Sequence, residues 1–343
     1  MATIGNIFAF PFNVALWARN LAYDKGWIKS VTIEHVSIIS LGNIAVGGTG
    51  KTPHVEMFIR HLLDRAYRVA VISRGYGRQQ ARTSRFVEID SRVEDVGDEP
   101  LQIKRKFPQV KVIVDQDRVR AVKMLLQLPF GDVPEVILLD DGMQYRKLVP
   151  TRQIALVTYD RPVFKDSLIP FGRLRDLPSQ MKRADTVIIT KCPPFMTAED
   201  KQQVREINHI ADGQKVFFTT VQYLDPVAVF PQGNNRYIYS HEAILFTGIA
   251  SSSQLRHHIG ARYHRNFHIE FPDHHVFTDK DLKQIQAFAD KHPQAIVLTT
   301  EKDSQRIRRN PMVAERLKER IFYIPIEVSL VEDESEEGLY DVK

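Results

Sequence analysis

Short apolar runs alternate with amphipathic stretches along most of this 343-residue chain. Val36, Ile38, Ile39 and Leu41 form one run, and Val55, Met57, Phe58, Ile59, Leu62 and Leu63 mark the amphipathic stretch after it. The same pattern predicts strands at 68–73, 111–114, 135–140, 154–159 and 186–190, with a short extended piece at 86–89. Helices are predicted at 99–107 and 117–128. Such alternation calls for an α/β fold, a mainly parallel sheet with helices on both faces.

The pattern breaks at 223–239, where Asp225-Pro226, Pro231, Gly233 and Asn234-Asn235 punctuate short β-like runs. A second α/β series follows, with strands at 243–247, 268–271 and 295–299 and helices at 252–259 and 279–291. This organisation predicts an N-terminal segment at 1–30, a larger domain at 31–225 and a linker or hairpin at 226–240. A smaller C-terminal α/β domain at 241–330 and a tail at 331–343 complete it.

Both ends are unusual in composition. Ile4, Ile7, Phe8, Phe10, Phe12, Leu16, Trp17, Leu21, Trp27 and Ile28 crowd the first thirty residues. If Pro11 opens a helix, Phe10, Val14, Trp17 and Leu21 fall on one stripe with Arg19 opposite. With Lys25 and Lys29 nearby, this reads either as an interfacial membrane segment or as a first helix packed on the core. No apolar run is long enough to span a bilayer, and no signal-peptide pattern is expected. The tail holds six acids and one lysine, a net charge of −5 against +5 for the whole chain, so the body carries +10. It is expected to be solvated and disordered. A basic body suits phosphates, acidic lipid or nucleic acid. The single cysteine, Cys192, excludes a disulfide framework and a cysteine-based zinc site.

The chemistry concentrates after the first apolar run, at Gly47-Gly48-Thr49-Gly50-Lys51-Thr52. Strand, glycine-rich turn and helix in that order make a phosphate-binding loop. Its amides and the helix N-terminus face phosphate oxygens, Lys51 reaches the β- and γ-phosphates, and the Thr52 hydroxyl sits on Mg²⁺. Ala45 stands where the usual pattern has its first glycine. The run 136–142 ends in Asp140-Asp141-Gly142, apolar residues leading to carboxylates that can hold Mg²⁺, with Gln144 close behind. Arg74, Arg78, Arg118, Arg120, Arg173 and Arg175 fall in turns expected at the carboxyl edge of the sheet, where ligands bind. Two further clusters are Gly97-Asp98-Glu99-Pro100 and Pro272-Asp273-His274-His275; a carboxylate held by a histidine is one way to take a hydroxyl proton.

In order along the chain, these stretches resemble the tetraacyldisaccharide 4′-kinase family. The resemblance rests on the loop at 47–53, Ser73-Arg74-Gly75-Tyr76-Gly77, the clusters at 97–100 and 271–275, and Asp117-Arg118-Val119-Arg120-Ala121. It also includes 139–144, Phe246-Thr247-Gly248-Ile249-Ala250 and Thr299-Thr300-Glu301-Lys302-Asp303. The family's loop lacks the glycine that Ala45 replaces. The resemblance implies a P-loop NTPase-like kinase moving the ATP γ-phosphate, with Mg²⁺, to the 4′-hydroxyl of tetraacyldisaccharide 1-phosphate, an acylated glucosamine disaccharide lipid. It implies that Asp98 is the base acting with His274, with Asp273 beside it. Lys51 and Thr52 would hold phosphate and metal, and Asp140, Asp141 and Gln144 would surround them. Tyr76, Arg118 or Arg120, and Arg175 would line the nucleotide or substrate site. It places the enzyme on the cytoplasmic face of the inner membrane of a Gram-negative-type cell, peripheral or monotopic, docked through residues 4–28. No obligate protein partner is expected. Asp176 stands where the family usually has Glu, and Tyr145 where it has His.

Two other classes fit less well. A GTP-driven switch would show [NT]-K-x-D, but Thr190-Lys191-Cys192-Pro193 has proline where the base-reading aspartate belongs. A nucleic-acid-dependent ATPase would carry a basic stripe interleaved with aromatics; here the basic residues are scattered, so no nucleic acid is expected.

Overall fold

The computed structural model describes residues 2–76, 78 and 83–342, and of residues 2–11 only the backbone. Eight strands belong to the first half: β1 (Ser37–Gly42), β2 (Val69–Ser73), β3 (Arg85–Phe86), β4 (Lys111–Val114), β5 (Val136–Asp140), β6 (Arg152–Thr158), β7 (Thr186–Thr190) and β8 (Lys215–Tyr223). The helices around them are α1 (Ala2–Asp24), α2 (Lys51–Asp64), α3 (Val93–Val96), α4 (Asp98–Lys106), α5 (Arg118–Leu126) and α6 (Ala198–Ile207). β1 lies between β5 and β6, parallel to both. The order β8-β7-β6-β1-β5-β2-β4 is parallel throughout, and β3 adds an antiparallel edge.

The side-chain period of two makes both faces of this sheet apolar. Ile39 and Leu41 of β1 pack with Val55, Phe58, Ile59 and Leu62 of α2 and with Leu101 and Ile103 of α4. Ile38, one residue before Ile39, joins Val119, Val122 and Leu125 of α5 on the other face. Each fully buried Leu, Ile or Phe contributes roughly 1.5–3 kcal/mol, so the layer on each side is strongly held.

A second sheet has the order β11-β10-β12-β13-β9, formed by β9 (Val227–Ala228), β10 (Glu242–Thr247), β11 (Arg265–Glu270), β12 (Ile296–Thr300) and β13 (Ile321–Ile324). Its helices are α7 (Ser253–Arg262), α8 (Asp279–Lys291), α9 (Glu301–Ile307) and α10 (Glu315–Lys318). The chain does not finish there. β14 (Ile326–Leu330) returns to the first sheet and pairs antiparallel with β8, and the Leu224 amide donates to the Pro325 carbonyl at 3.0 Å. Residues 224–325 are thus an insertion between two neighbouring strands of the first sheet, and the expected C-terminal unit of 241–330 gives up its last strand. The expected linker at 226–240 contains β9, which pairs with β13 and belongs to the second sheet.

The expectation of a disordered acidic tail is overturned. Leu339 is fully buried, and the Tyr340 ring stacks on His61 at 3.6 Å and meets Phe58 edge-on at 4.9 Å. The Arg152 guanidinium donates to the carbonyls of Gly338 and Leu339, both at 2.7 Å. The acids also find bases: Glu334 meets Lys201 at 2.6 Å and Asp341 meets Lys215 at 3.4 Å. Apolar residues spaced among the charges, with cations ready for them, hold the segment against α2.

Helix α1 runs through Pro11 rather than opening there. The side chains of Ile4, Ile7, Phe8 and Phe10 lie outside the described residues. Leu16 is buried with β6 and β7, Asn20 donates to Asp176 at 2.8 Å, and Arg19 donates to the Gln144 carbonyl at 2.5 Å. Arg19 therefore lies on the docked side rather than on a solvated one. Val14 and Trp17 face outward, 43% and 57% exposed, and Trp27 beyond the helix is 74% exposed. Among the described residues no helix is long and apolar enough to cross a membrane.

Candidate active site

Between the two sheets lies a cleft of about 390 Å³, lined by residues 44–54 on one side and by Ile249, Ser251, Asp273, His274 and Lys302 on the other. The loop that enters it follows β1. Gly47 and Gly50 have φ of 100° and 83°, values at which a β-carbon is strained. Gly50 caps α2 without a side-chain bond, so the first amides of α2 remain available to an anion. The loop is braced from three sides. Asn43 Nδ2 donates to Thr49 Oγ1 at 2.8 Å, Thr190 Oγ1 to the Thr49 carbonyl at 3.0 Å, and the Val46 amide to the Arg173 carbonyl at 2.7 Å. Beneath it His54 is buried, and burial pushes its imidazole down to about 4. The ring is therefore neutral. Nδ1 donates to the Gly50 carbonyl at 2.7 Å, and Nε2 accepts from Thr219 Oγ1 at 2.9 Å.

Two carboxylates end β5 beside this loop, and their environments push them apart. Asp140 is buried, accepts from Ser73 Oγ at 3.1 Å through Oδ2, and leaves Oδ1 without a hydrogen-bond partner. Burial, then the charges of Glu99 and Asp141, push its carboxyl up to about 7. Burial acts the same way on Asp141, but Lys51, 4.0 Å away, and the Arg175 guanidinium outweigh it and hold that carboxyl below its usual range. Arg175 is bidentate on Asp141, with Nη1 at 2.9 Å from Oδ2, and also donates to Asn43 Oδ1 at 2.6 Å. Asp141 itself has φ 54°, a strained value for a residue with a side chain. A buried carboxylate oxygen lacking a partner next to a phosphate loop fits a divalent cation. Among the described residues no three His, Cys, Asp or Glu converge on a metal. Mg²⁺ at phosphoryl-transfer sites needs only one or two carboxylates plus substrate phosphates.

At the far side of the cleft, α4 of the first sheet meets α9 of the second. Asp98 opens α4 after Gly97, whose φ of 91° and closeness to the Tyr76 carbonyl would strain any residue with a β-carbon. Asp98 is buried behind His274, with Oδ2 3.5 Å from Nδ1. Burial raises the Asp98 carboxyl, but a hydrogen bond from His274 and the charges of Lys302 and Arg306 prevail and hold it far below the usual range. Arg306 donates to Asp98, to Asp303 at 2.8 Å and to the Gly248 carbonyl at 3.2 Å. Lys302 lies 3.1 Å from Glu99, 3.2 Å from His274 Nε2 and 3.8 Å from Asp273. The Tyr76 ring is 5.0 Å from the His274 ring. Salt links continue away from the cleft: Lys106 joins Glu56 at 2.7 Å to Glu301 at 3.3 Å.

Gly47, Gly48, Thr49, Gly50, Lys51 and Thr52 thus line one cleft wall, Asp140 and Asp141 lie beside it, and Asp98, Asp273, His274 and Tyr76 gather opposite. Two expected residues are elsewhere. The Gln144 side chain donates to the Asn43 carbonyl behind the loop, and its backbone carbonyl accepts from Arg19 of α1. Arg120 turns to the buried Asp115 carboxylate, 2.7 Å away, and to Ser84. Arg118 is buried, its guanidinium 5.1 Å from the Tyr145 ring. The sequence pattern did not single out Arg306; an arginine late in a short helix carries no local signal, and its partner Asp98 is 208 residues away.

A phosphate loop facing a buried aspartate paired with a histidine that reaches the cleft, with a carboxylate free for a cation, defines a P-loop phosphotransferase. Its relatives specify which. The family model "Tetraacyldisaccharide-1-P 4′-kinase" matches residues 1–342, and the chain belongs to that family. Tetraacyldisaccharide 4′-kinase of Phocaeicola vulgatus is 38% identical over 334 residues, covering 95% of this chain and 90% of that one. The enzyme of that name from Porphyromonas gingivalis is 38% identical over 328 residues, covering 94% and 91%. A crystal structure of LpxK from Aquifex aeolicus in complex with ATP aligns with TM-score 0.72 at 27% identity, covering 99% of this chain and 98% of that one. The chain is a lipid A-pathway kinase that uses ATP to phosphorylate the 4′-position of its lipid disaccharide.

Proposed function

We propose that the two walls of the cleft are the donor and acceptor halves of one transfer site. Loop amides at 47–50, Lys51 and the Thr52 hydroxyl hold the β- and γ-phosphates. Thr52 and Asp140 would hold Mg²⁺, which would supply neutralising charge to the phosphate oxygens. Asp141 fixes Lys51 and is itself oriented by Arg175.

Opposite, Asp98 accepts the proton of the 4′-hydroxyl as that oxygen bonds to the γ-phosphorus. The bond from phosphorus to the β–γ bridging oxygen breaks, and ADP leaves. A carboxylate held this far below its usual range is a weak base. A loose phosphoryl-transfer transition state asks mainly that the hydroxyl be positioned and its proton accepted late, which an ionised Asp98 can do. His274 sits between Asp98 and the cleft, where it can relay that proton. Tyr76 and Asp273 frame His274, and the carboxylate–imidazole approach of 3.5 Å across the lobes is the observation that carries this reading.

The acceptor's acyl chains belong in a bilayer, so the head-group must be reached from its surface. We propose that α1 and residues 25–28 lie on the cytoplasmic face of the inner membrane, Val14, Trp17, Trp27 and Ile28 inward, while Leu16 and Asn20 anchor the helix to the first sheet. The test is incubation with ATP, Mg²⁺ and an acylated glucosamine disaccharide 1-phosphate. Mass spectrometry should show one added phosphate on the non-reducing sugar, lost in Asp98→Asn. Equal product from that variant would remove Asp98 from the role.

A further inference from the structure

Lys191 takes no part in the chemistry assigned above, yet the fold places it with care. It follows β7 at the carboxyl edge of the sheet and has φ 60°, the left-handed region that residues with a β-carbon rarely occupy. Its neighbours enforce this. Thr190 Oγ1 holds the Thr49 carbonyl at 3.0 Å, and the Cys192 amide donates to the Thr219 carbonyl at 2.9 Å. A left-handed backbone held from both sides is a reason to ask what the side chain does there.

The side chain runs to the phosphate loop. A β-carbon built on Gly48 would lie 3.9 Å from Lys191 Nζ, and Lys191 lines the cleft. Among the described residues its ammonium has no ion pair within 4.0 Å and no side-chain hydrogen bond. The charges that face it are Asp160 and Arg161, which oppose each other, and His54, which is neutral. Two other cations at the loop are engaged, Arg175 with Asp141 and Lys51 at 4.0 Å from the same carboxylate, while the exposed Arg173 reaches the Gly47 side, its Nη1 3.7 Å from where a β-carbon on Gly47 would stand. Burial lowers the Lys191 ammonium from its usual value, as expected for a cation that lacks its counter-ion.

We propose that Lys191 is a nucleotide-binding residue, donating to polyphosphate oxygens on the Gly47–Gly48 side of the loop. These oxygens are common to ATP and ADP. The inference rests on the reading that residues 47–52 hold the nucleotide, and adds to it a second lysine from a different strand.

The test uses full-length protein with Mg²⁺ and no acceptor, and titrates ATP and ADP separately by calorimetry. Lys191→Met should weaken both by about tenfold or more, the usual worth of a charge-assisted hydrogen bond. Lys191→Arg should recover most of the loss. Lys191→Gly should weaken both equally, yet melt at or above the wild-type temperature without nucleotide because the left-handed strain is gone. In turnover assays KM for ATP should rise while kcat and KM for the lipid stay within about twofold. Unchanged nucleotide affinity in Lys191→Met, or a defect confined to KM for the lipid, would overturn the inference. Lys51→Ala is the control: if it binds ATP as the wild type does, the loop reading fails, whatever Lys191 does.

Discussion

Arg306 of α9 bonds Asp98 of α4 and Asp303 at once, so one guanidinium ties the first sheet's α4 to the insertion that carries His274. The side chains are nearly sealed, with Arg306 and Asp98 each 7% exposed and Asp303 not at all. Removing the cation leaves two buried carboxylates without it. Arg306→Leu should lower stability by about 3–5 kcal/mol in denaturant unfolding. Arg306→Lys keeps the charge but loses the fork, and should fall between. An unaltered midpoint for Arg306→Leu would show that the bridge contributes nothing.

Asp98 and His274 should behave as transfer residues rather than nucleotide ligands. Asp98→Asn and His274→Gln are each expected to reduce kcat by roughly 10²–10⁴-fold. ATP affinity should stay within about twofold, since both residues sit across the cleft from the loop. Parallel losses of kcat and ATP binding would mean that the whole cleft had deformed.

His54 should make stability depend on pH. Its imidazole titrates near 4 when folded against 6.5 when free, so the unfolded chain binds the extra proton between those values. The neutral ring's contribution is complete above about pH 6.5 and is lost as pH falls toward 4, on the order of 3 kcal/mol in full. Melting temperatures of His54→Gln and wild type, compared at pH 7.5 and pH 5, should converge at the lower pH. A constant difference would exclude a neutral, buried His54.

The outward face of α1 should bind membrane without stabilising the fold. Trp17→Ser combined with Trp27→Ser should reduce co-sedimentation with anionic phospholipid vesicles several-fold and leave the melting temperature within about 2 °C. Removing the whole helix is a poorer experiment, because Leu16 and Asn20 are part of the packed body. Undiminished sedimentation of the double variant would count against an interfacial α1.

The parallel sheet was legible because its strands are apolar on both faces and stand between helices. So was the loop at 47–52, whose residue types are dictated by phosphate. β14 was not. Ile326–Leu330 is a half-buried edge strand, and its partner β8 is separated from it by a complete second sheet, a pairing no local pattern encodes. The tail was misread for a related reason: counting its charges hides Leu339 and Tyr340, whose partners on α2 lie far earlier in the chain. Asp98 and His274 were legible through the ordered motifs of one family, while Arg306, Lys302 and the displacement of Gln144 became visible only with the insertion in place.

The return of the chain after its insertion also sets a schedule for synthesis. β14, Leu339 and Tyr340 cover α2, the helix that follows the glycine-rich loop, and they are translated after all of residues 224–325. A nascent chain can assemble β1 to β8 early, at translation speeds of roughly 5–20 residues per second. It still leaves the flank of α2 bare until the second sheet has left the ribosome. The loop at 47–52 therefore gains its full support only together with the sheet that carries His274.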